Sequence, residues 1–263
     1  MSYVISDSVT MLNRNLLHVV RYPGLSVFTI LGPVVILLLT VFVFGGTLGA
    51  GLPGVDAAGG RDAYLAYVMP GILLITIAGT VSGVAITVSM DMTEGITARF
   101  RTMAISRAAV LTGHVIGNTI QAVIAVALVL GVGVLVGFRP TAAPLEWLGA
   151  VGVIVLIAFA LSWIGVAMGM QAKSVETASN LPLILTILPL LGSGFVPTAS
   201  MPEWLQVFAQ NQPFTPFIES IRGLLLGVST SSTTVALALG WSVIVAVGGY
   251  IWSMVIYERK SVR

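Results

Sequence analysis

WLGAVGVIVLIAFALSWIGVAMGM, residues 147–170, runs for 24 residues without an Asp, Glu, Lys or Arg. An α-helix needs about 20 such residues to cross the hydrocarbon layer of a bilayer. A transmembrane β-strand needs only about ten, with apolar and polar positions alternating. This stretch does not alternate, so it reads as a membrane-spanning helix. Five further blocks follow the same rule, giving expected spans over 25–46, 64–90, 109–137, 147–170, 179–197 and 234–257.

Composition agrees with that reading. Of 263 residues, 57% are hydrophobic and only 8% are charged, with a mean hydropathy of +1.03. A soluble domain carries roughly 25% charged residues; the 12 basic and 10 acidic side chains here are too few to cover a water-facing surface. Soluble, disordered and β-barrel proteins are thereby excluded, and the fold class is all-α membrane protein. The sequence contains no cysteine, which removes disulfides, thiolate metal sites and cysteine nucleophiles together. Residues 1–22 are polar and mixed, without the short apolar core and small-residue cleavage site of a signal peptide.

Orientation follows from the basic residues between the spans. Segments 1–24, 91–108, 171–178 and 258–263 hold nine Lys and Arg, against three (Arg61, Arg139 and Arg222) in 47–63, 138–146 and 198–233. The excess places both termini in the cytoplasm. It also accounts for the net charge of +2 without a nucleic-acid partner. No linker or internal repeat divides the chain, so 1–263 is expected to form one domain.

Three segments outside the spans carry pattern. Ile5, Val9, Leu12, Leu16 and Val19 form one apolar stripe, which predicts an amphipathic helix over 4–20 lying in the cytoplasmic interface, ended by Pro23-Gly24. Between the second and third spans, Glu94, Arg99, Phe100 and Arg101 give a short charged helix with an aromatic knob. That helix is either a docking element for a soluble partner or a topology-setting basic loop. On the outer side, 198–227 predicts two short amphipathic helices joined by Asn211-Gln212-Pro213-Phe214-Thr215-Pro216-Phe217, too apolar for a water-exposed loop and suited to re-entering the outer leaflet. Pro213 and Pro216 are expected to break the outer helices there. Arg222 either pairs with Glu219 or Glu203 at an outer gate or snorkels to lipid headgroups. Gly79/Gly83, Gly113/Gly117 and Gly165/Gly169 offer small-xxx-small contacts between helices.

The absences narrow the function. No phosphate-binding Gly-x-x-x-x-Gly-Lys-Ser/Thr loop occurs, and neither of the two histidines belongs to a cluster with metal-ligand spacing. Catalytic residues, cofactor ligands and metal ligands are therefore not expected in this chain. The spans hold no ionisable group at mid-depth of the kind that ion- or proton-coupled carriers use. His114 reads either as an interfacial helix residue or as a proton or substrate ligand, and Thr76, Thr80, Ser82, Thr87, Asn118, Gln121 and Ser162 either join helices or line a path. A transporter of this composition has to take its energy from a partner.

Two stretches resemble a known family. Glu94-Gly95-Ile96-Thr97, followed by Ile105-Ser106-Arg107, is similar to the cytoplasmic coupling helix of ABC-2 type ATP-binding-cassette transporter permeases and its closing motif. Ala104 stands where that motif often has proline, and Thr97 falls one residue late. Ser193-Gly194-Phe195-Val196-Pro197, Met201-Pro202-Glu203-Trp204-Leu205, Gln212-Pro213-Phe214-Thr215-Pro216 and Ile221-Arg222-Gly223-Leu224-Leu225 are similar to the fifth-span exit and outer helices of the daunorubicin-resistance type of exporter permease. The resemblance implies six spans, an amphipathic start, a coupling helix carrying Glu94, Gly95, Arg99, Phe100 and Arg101, and outer re-entrant helices with Gln212, Pro213, Pro216, Glu219 and Arg222 at a gate. It further implies a separate ABC ATPase subunit that binds ATP and Mg, a second identical or homologous permease, and a drug- or lipid-like cargo. The alternatives are an ion- or proton-coupled carrier or channel, and a non-transporting membrane subunit of an ABC complex.

Overall fold

The computed structural model describes residues 23–51, 60–93, 107–228 and 230–261. The amphipathic stretch 4–20 and the coupling-helix residues Glu94, Gly95, Arg99, Phe100 and Arg101 lie outside the described residues. Among those described there is no strand.

The chain opens with α1 (Pro23–Leu39), a π-helical turn (Thr40–Phe44) and α2 (Gly45–Ala50). Four long helices follow in order: α3 (Gly60–Thr93), α4 (Arg107–Val136), α5 (Pro144–Gln171) and, last in the chain, α10 (Ser232–Ser261). Between α5 and α10 come the short α6 (Val175–Asn180), α7 (Leu183–Ile187), α8 (Glu203–Asn211) and the 13-residue α9 (Phe214–Leu226). Among the described residues, five helical stretches are long and apolar enough to cross a membrane: Thr29–Ala50, Gly60–Thr93, Leu111–Val136, Pro144–Gln171 and Ser232–Arg259. They coincide with five of the six expected blocks.

The sixth block, 179–197, is built differently. Pro182 caps the start of α7, which ends at Ile187, and the chain then advances through turns closed by Leu191 N–H to Ile187 O and Gly192 N–H to Pro189 O. Proline has no N–H to give a helix, and glycine costs a helix about 1 kcal/mol relative to alanine. Pro182, Pro189, Gly192 and Gly194 interrupt the run, although its hydropathy alone suits a span.

Helix α3 is the centre of the fold. Leu65, Val68, Met69, Ile72, Leu73, Ile77 and Val81 are all inaccessible, packed with Ile157 of α5 and Phe217 and Ile221 of α9. The outward faces are apolar as well: Leu31, Val35 and Val43 at the start of the chain, Ile124 and Leu128 on α4, and Val243, Ile244 and Ile251 on α10 are exposed. Water would not tolerate such a surface, whereas hydrocarbon does.

The α3–α5 seam rests on one of the expected glycine pairs. A Cβ on Gly169 would stand 2.5 Å from the Ala85 carbonyl oxygen, and one on Gly165 would stand 2.6 Å from a Val84 methyl. Gly83 faces open space, and Gly79 meets only a Thr29 methyl at 3.7 Å, so that pair makes no seam within the chain. Gly169→Leu is accordingly expected to force the two helices apart and to remove most of the monodisperse protein recovered in mild detergent. Gly83→Leu, placed in open space, should leave recovery unchanged; size-exclusion chromatography compares the two.

The polar residues of the spans mostly serve the fold. Asn118 Nδ2 donates to Ser162 Oγ at 2.8 Å and to Thr80 Oγ1 at 3.4 Å, joining α4, α5 and α3. Thr76 and Thr87 donate back to their own helix, at Ile72 O and Gly83 O.

A candidate gate around Arg222

At the end of the bundle where α3 begins, α8 and α9 pack beside the broken segment. The two short helices have different roles. α8 lies at the surface, with Trp204 74% exposed, while Phe214, Phe217, Ile218, Ile221 and Leu225 of α9 are buried in the core. The joint is only Gln212-Pro213. Pro216 sits in the first turn of α9 rather than in a connecting loop, where a missing N–H costs nothing because no carbonyl in the helix would receive it. α9 ends at Gly227, whose φ of +60° favours glycine, and its last carbonyls accept from Thr141: N–H to Leu225 O at 3.2 Å and Oγ1 to Leu226 O at 2.5 Å.

Arg222 neither snorkels nor forms a salt bridge with Glu219 or Glu203. Its side chain crosses from α9 to two backbone carbonyls on different elements. Nε and Nη2 donate to Tyr67 O at 3.3 and 3.1 Å, and Nη2 also donates to Ser193 O at 2.6 Å. Its Cζ lies 3.9 Å from the centre of the Tyr67 ring, a cation–π contact. Tyr67 belongs to the turn of α3 disturbed by Pro70, which lacks an N–H and whose ring crowds the preceding turn. Irregular backbone inside an apolar bundle needs donors from its neighbours, and Arg222 supplies one to Ser193 O in the broken segment. Burial lowers the Arg222 pKa from the usual arginine value, with Tyr67 and Glu219 opposing that shift.

The broken segment is held at two further points. Gln212 Nε2 donates to Leu188 O at 3.1 Å, and Gly194 approaches α3 so closely that a Cβ on Gly71 would meet Gly194 Cα at 2.8 Å. Thr215 Oγ1 ties α9 back to α8 through Ala209 O at 2.5 Å. Three other buried polar atoms here, Ser193 Oγ, Gln212 Oε1 and Ser220 Oγ, have no hydrogen-bond partner among the described residues. Each orphan of this kind costs about 1–3 kcal/mol, so the arrangement is held firmly at a few points and poorly satisfied between them. Beside it, Glu219, Arg222, Gly223, Leu226, Thr230 of the α9–α10 turn and Thr234 at the start of α10 line an open cleft of about 270 Å³.

Of the expected gate residues, Gln212 and Arg222 both hold the broken segment, Glu219 lines the cleft beside Arg222, and Pro213 and Pro216 stand at the start of α9. Tyr67, Gly71, Leu188 and Ser193 complete the site, and sequence reasoning did not single them out as partners. Leu188 and Ser193 contribute only backbone carbonyls, which no side-chain pattern announces, while Tyr67 adds its ring to its carbonyl. Pro70, a proline within an apolar run, was the available signal.

Residues 7–226 match the ABC-2 type transporter family. The chain is 27% identical, over 227 residues, to a daunorubicin resistance ABC transporter permease protein (DrrB1) of Streptomyces coeruleorubidus, covering 86% of this chain and 77% of that one. It is 25% identical, over 236 residues, to a probable doxorubicin resistance ABC transporter permease protein (DrrC) of Mycobacterium tuberculosis, covering 89% and 83%. With that match extending over most of an all-helical apolar bundle, the chain belongs to the ABC-2 type transporter family.

Proposed function

We propose that this chain is the transmembrane permease subunit of an ATP-driven exporter, acting as a single domain over residues 1–263 in the plasma membrane with both termini cytoplasmic. The observation that carries this reading is the family match over residues 7–226, joined to relatives that are drug-resistance permeases. The broken segment from α6 to Pro197 makes the sixth crossing in this reading, which brings the number of spans to the even value that two cytoplasmic termini need. The chain has no phosphate-binding loop of its own, so ATP and Mg belong to a separate ABC ATPase subunit. A second permease, identical or homologous, completes the translocation path. The cargo is amphipathic and drug- or lipid-like, by extension from the drug-resistance relatives.

The Arg222 cluster suits an extracellular gate in this scheme. A gate has to close firmly and yet lie near an alternative arrangement. The ties at Leu188, Ser193 and Gly71 provide closure, and the orphaned hydroxyl and amide atoms between them keep the closed form from being deeply stabilised. Release of the broken segment from α3 would open a way out beside the cleft at Glu219.

The partner is tested by purifying the tagged chain from its native membrane in mild detergent and identifying stoichiometric companions by mass spectrometry. A nucleotide-binding subunit is expected, and any second permease would appear in the same sample. Glu94→Ala and Phe100→Ala are expected to lower ATP-coupled transport roughly tenfold or more without impairing membrane insertion. The rationale is that short helices dock through a few central anchors. A preparation repeatedly free of any ATPase, with transport driven instead by ΔpH or membrane potential, would overturn the reading in favour of a carrier.

A further inference from the structure

At the opposite end of the bundle from Arg222, the last turn of α3 carries Asp91 and the second turn of α4 carries His114. Both side chains are buried, and His114 Nε2 stands 3.2 Å from Asp91 Oδ2. Sequence reasoning placed Asp91 in a cytoplasmic segment and His114 at the interface; instead the two face each other inside the protein. Val88, Met92, Leu111, Met170 and Tyr257 enclose them around a void of about 10 Å³, roughly one water in size. The collar therefore comes from α3, α4, α5 and α10 together.

The position of this pair in the chain gives it a role. Helix α3 ends two residues after Asp91, at Thr93, and α4 begins seven residues before His114, at Arg107. The segment 94–106 is bracketed by the two helices that the pair joins. Any displacement of that segment that separates the end of α3 from the start of α4 has to part an acid from its imidazole within an apolar collar. Parting a buried pair is far costlier than parting an exposed one, because neither group can exchange its partner for water. The two helix ends consequently move as one body.

We propose that Asp91 and His114 are positioning residues that clamp the two flanks of segment 94–106, so that a push received by that segment moves α3 and α4 together. The coupling part of this inference rests on the proposed contact between that segment and an ATPase; the clamp itself does not. Because α3 also carries Tyr67 and Gly71, the body that the pair holds together reaches the Arg222 cluster at its far end.

The clamp is read first without any partner. The chain has no native cysteine, so spin labels attached through Thr93→Cys and Arg107→Cys report one distance in the purified protein. A narrow distribution is expected with the pair intact, a broadened one in Asp91→Asn and in His114→Gln, and a narrow one again in the exchanged variant Asp91→His with His114→Asp. Equal widths in all four proteins, or an exchanged variant no narrower than the single ones, would overturn the clamp. In the native complex, the single variants are expected to keep the ATPase at its normal stoichiometry but to lower transport per ATP hydrolysed roughly fivefold to tenfold, with recovery in the exchanged variant. Unchanged transport per ATP overturns the coupling role. If the unsubstituted chain itself brings down no ATPase, the exporter reading fails while the label distances still decide the clamp.

Discussion

Arg222→Ala is expected to be the most damaging single truncation on α9. It removes three hydrogen bonds to two carbonyls, Tyr67 O and Ser193 O, and the stacking of a guanidinium on the Tyr67 ring. Ser193 O loses its donor, at about 1–3 kcal/mol for a buried acceptor, while Tyr67 O lies within the unbroken helix α3 and loses only the guanidinium and its stacking. The five tryptophans of the chain make intrinsic fluorescence a direct reading of thermal unfolding in detergent, and a clear drop in midpoint is expected. Transport should fall roughly tenfold or more, since 1.4 kcal/mol corresponds to a factor of ten and the segment released is the one that closes the proposed gate. Arg222→Lys should recover only a small part: an ammonium keeps the charge but has neither the planar fork that reaches two carbonyls nor the flat face that stacks on tyrosine. Glu219→Gln should shift the midpoint little, because Glu219 forms no salt bridge with Arg222. Arg222→Ala with wild-type midpoint and transport would show that the tie to α3 is incidental.

The contrast between Arg222 and Glu219 shows which parts of this molecule a sequence discloses. Five spans were legible because hydrocarbon selects on side-chain polarity over some 20 residues, and 147–170 meets that test without exception. The helices on either side of Gln212-Pro213 were legible because amphipathic periodicity survives in short segments. The α3–α5 seam was partly legible: the spacing of Gly165 and Gly169 is the right one, but so is that of Gly79 and Gly83, and only the fold distinguishes a glycine facing Ala85 from one facing open space.

What sequence reasoning missed shares one physical origin. Hydropathy measures the cost of placing side chains in lipid and is silent about backbone groups. The block 179–197 passes as a span on side chains, yet its prolines and glycines leave carbonyls that α9 has to satisfy. Arg222 looked like a partner for a carboxylate because charges are expected to meet charges, whereas its acceptors are peptide oxygens, one of them, Ser193 O, in irregular backbone. Asp91 was trimmed from the edge of a span for being charged, and the fold buries it because His114 arrives from the next helix at 3.2 Å.

Gly71→Ala is expected to break the same contact from the opposite side. The new Cβ would lie 2.8 Å from Gly194 Cα and 2.9 Å from Gly194 O, which is backbone on the facing segment and cannot rotate away. Gly194→Ala offers no escape, since its Cβ would stand 2.8 Å from Pro189 O and 3.3 Å from Gly71 Cα. Overpacking of this kind costs about 1–3 kcal/mol. Here the segment carrying Ser193 has to withdraw, and with it goes the 2.6 Å bond to Arg222. The two substitutions therefore act on one contact and should not add. Gly71→Ala combined with Arg222→Ala is expected to lose less stability than the two single losses combined, by about 0.5–3 kcal/mol, once the segment has left α3. Strict additivity in that double-mutant cycle would mean that Gly194 and Arg222 hold the segment independently. A shortfall would mean that the glycine contact and the arginine form one latch, in which opening at either point releases the other.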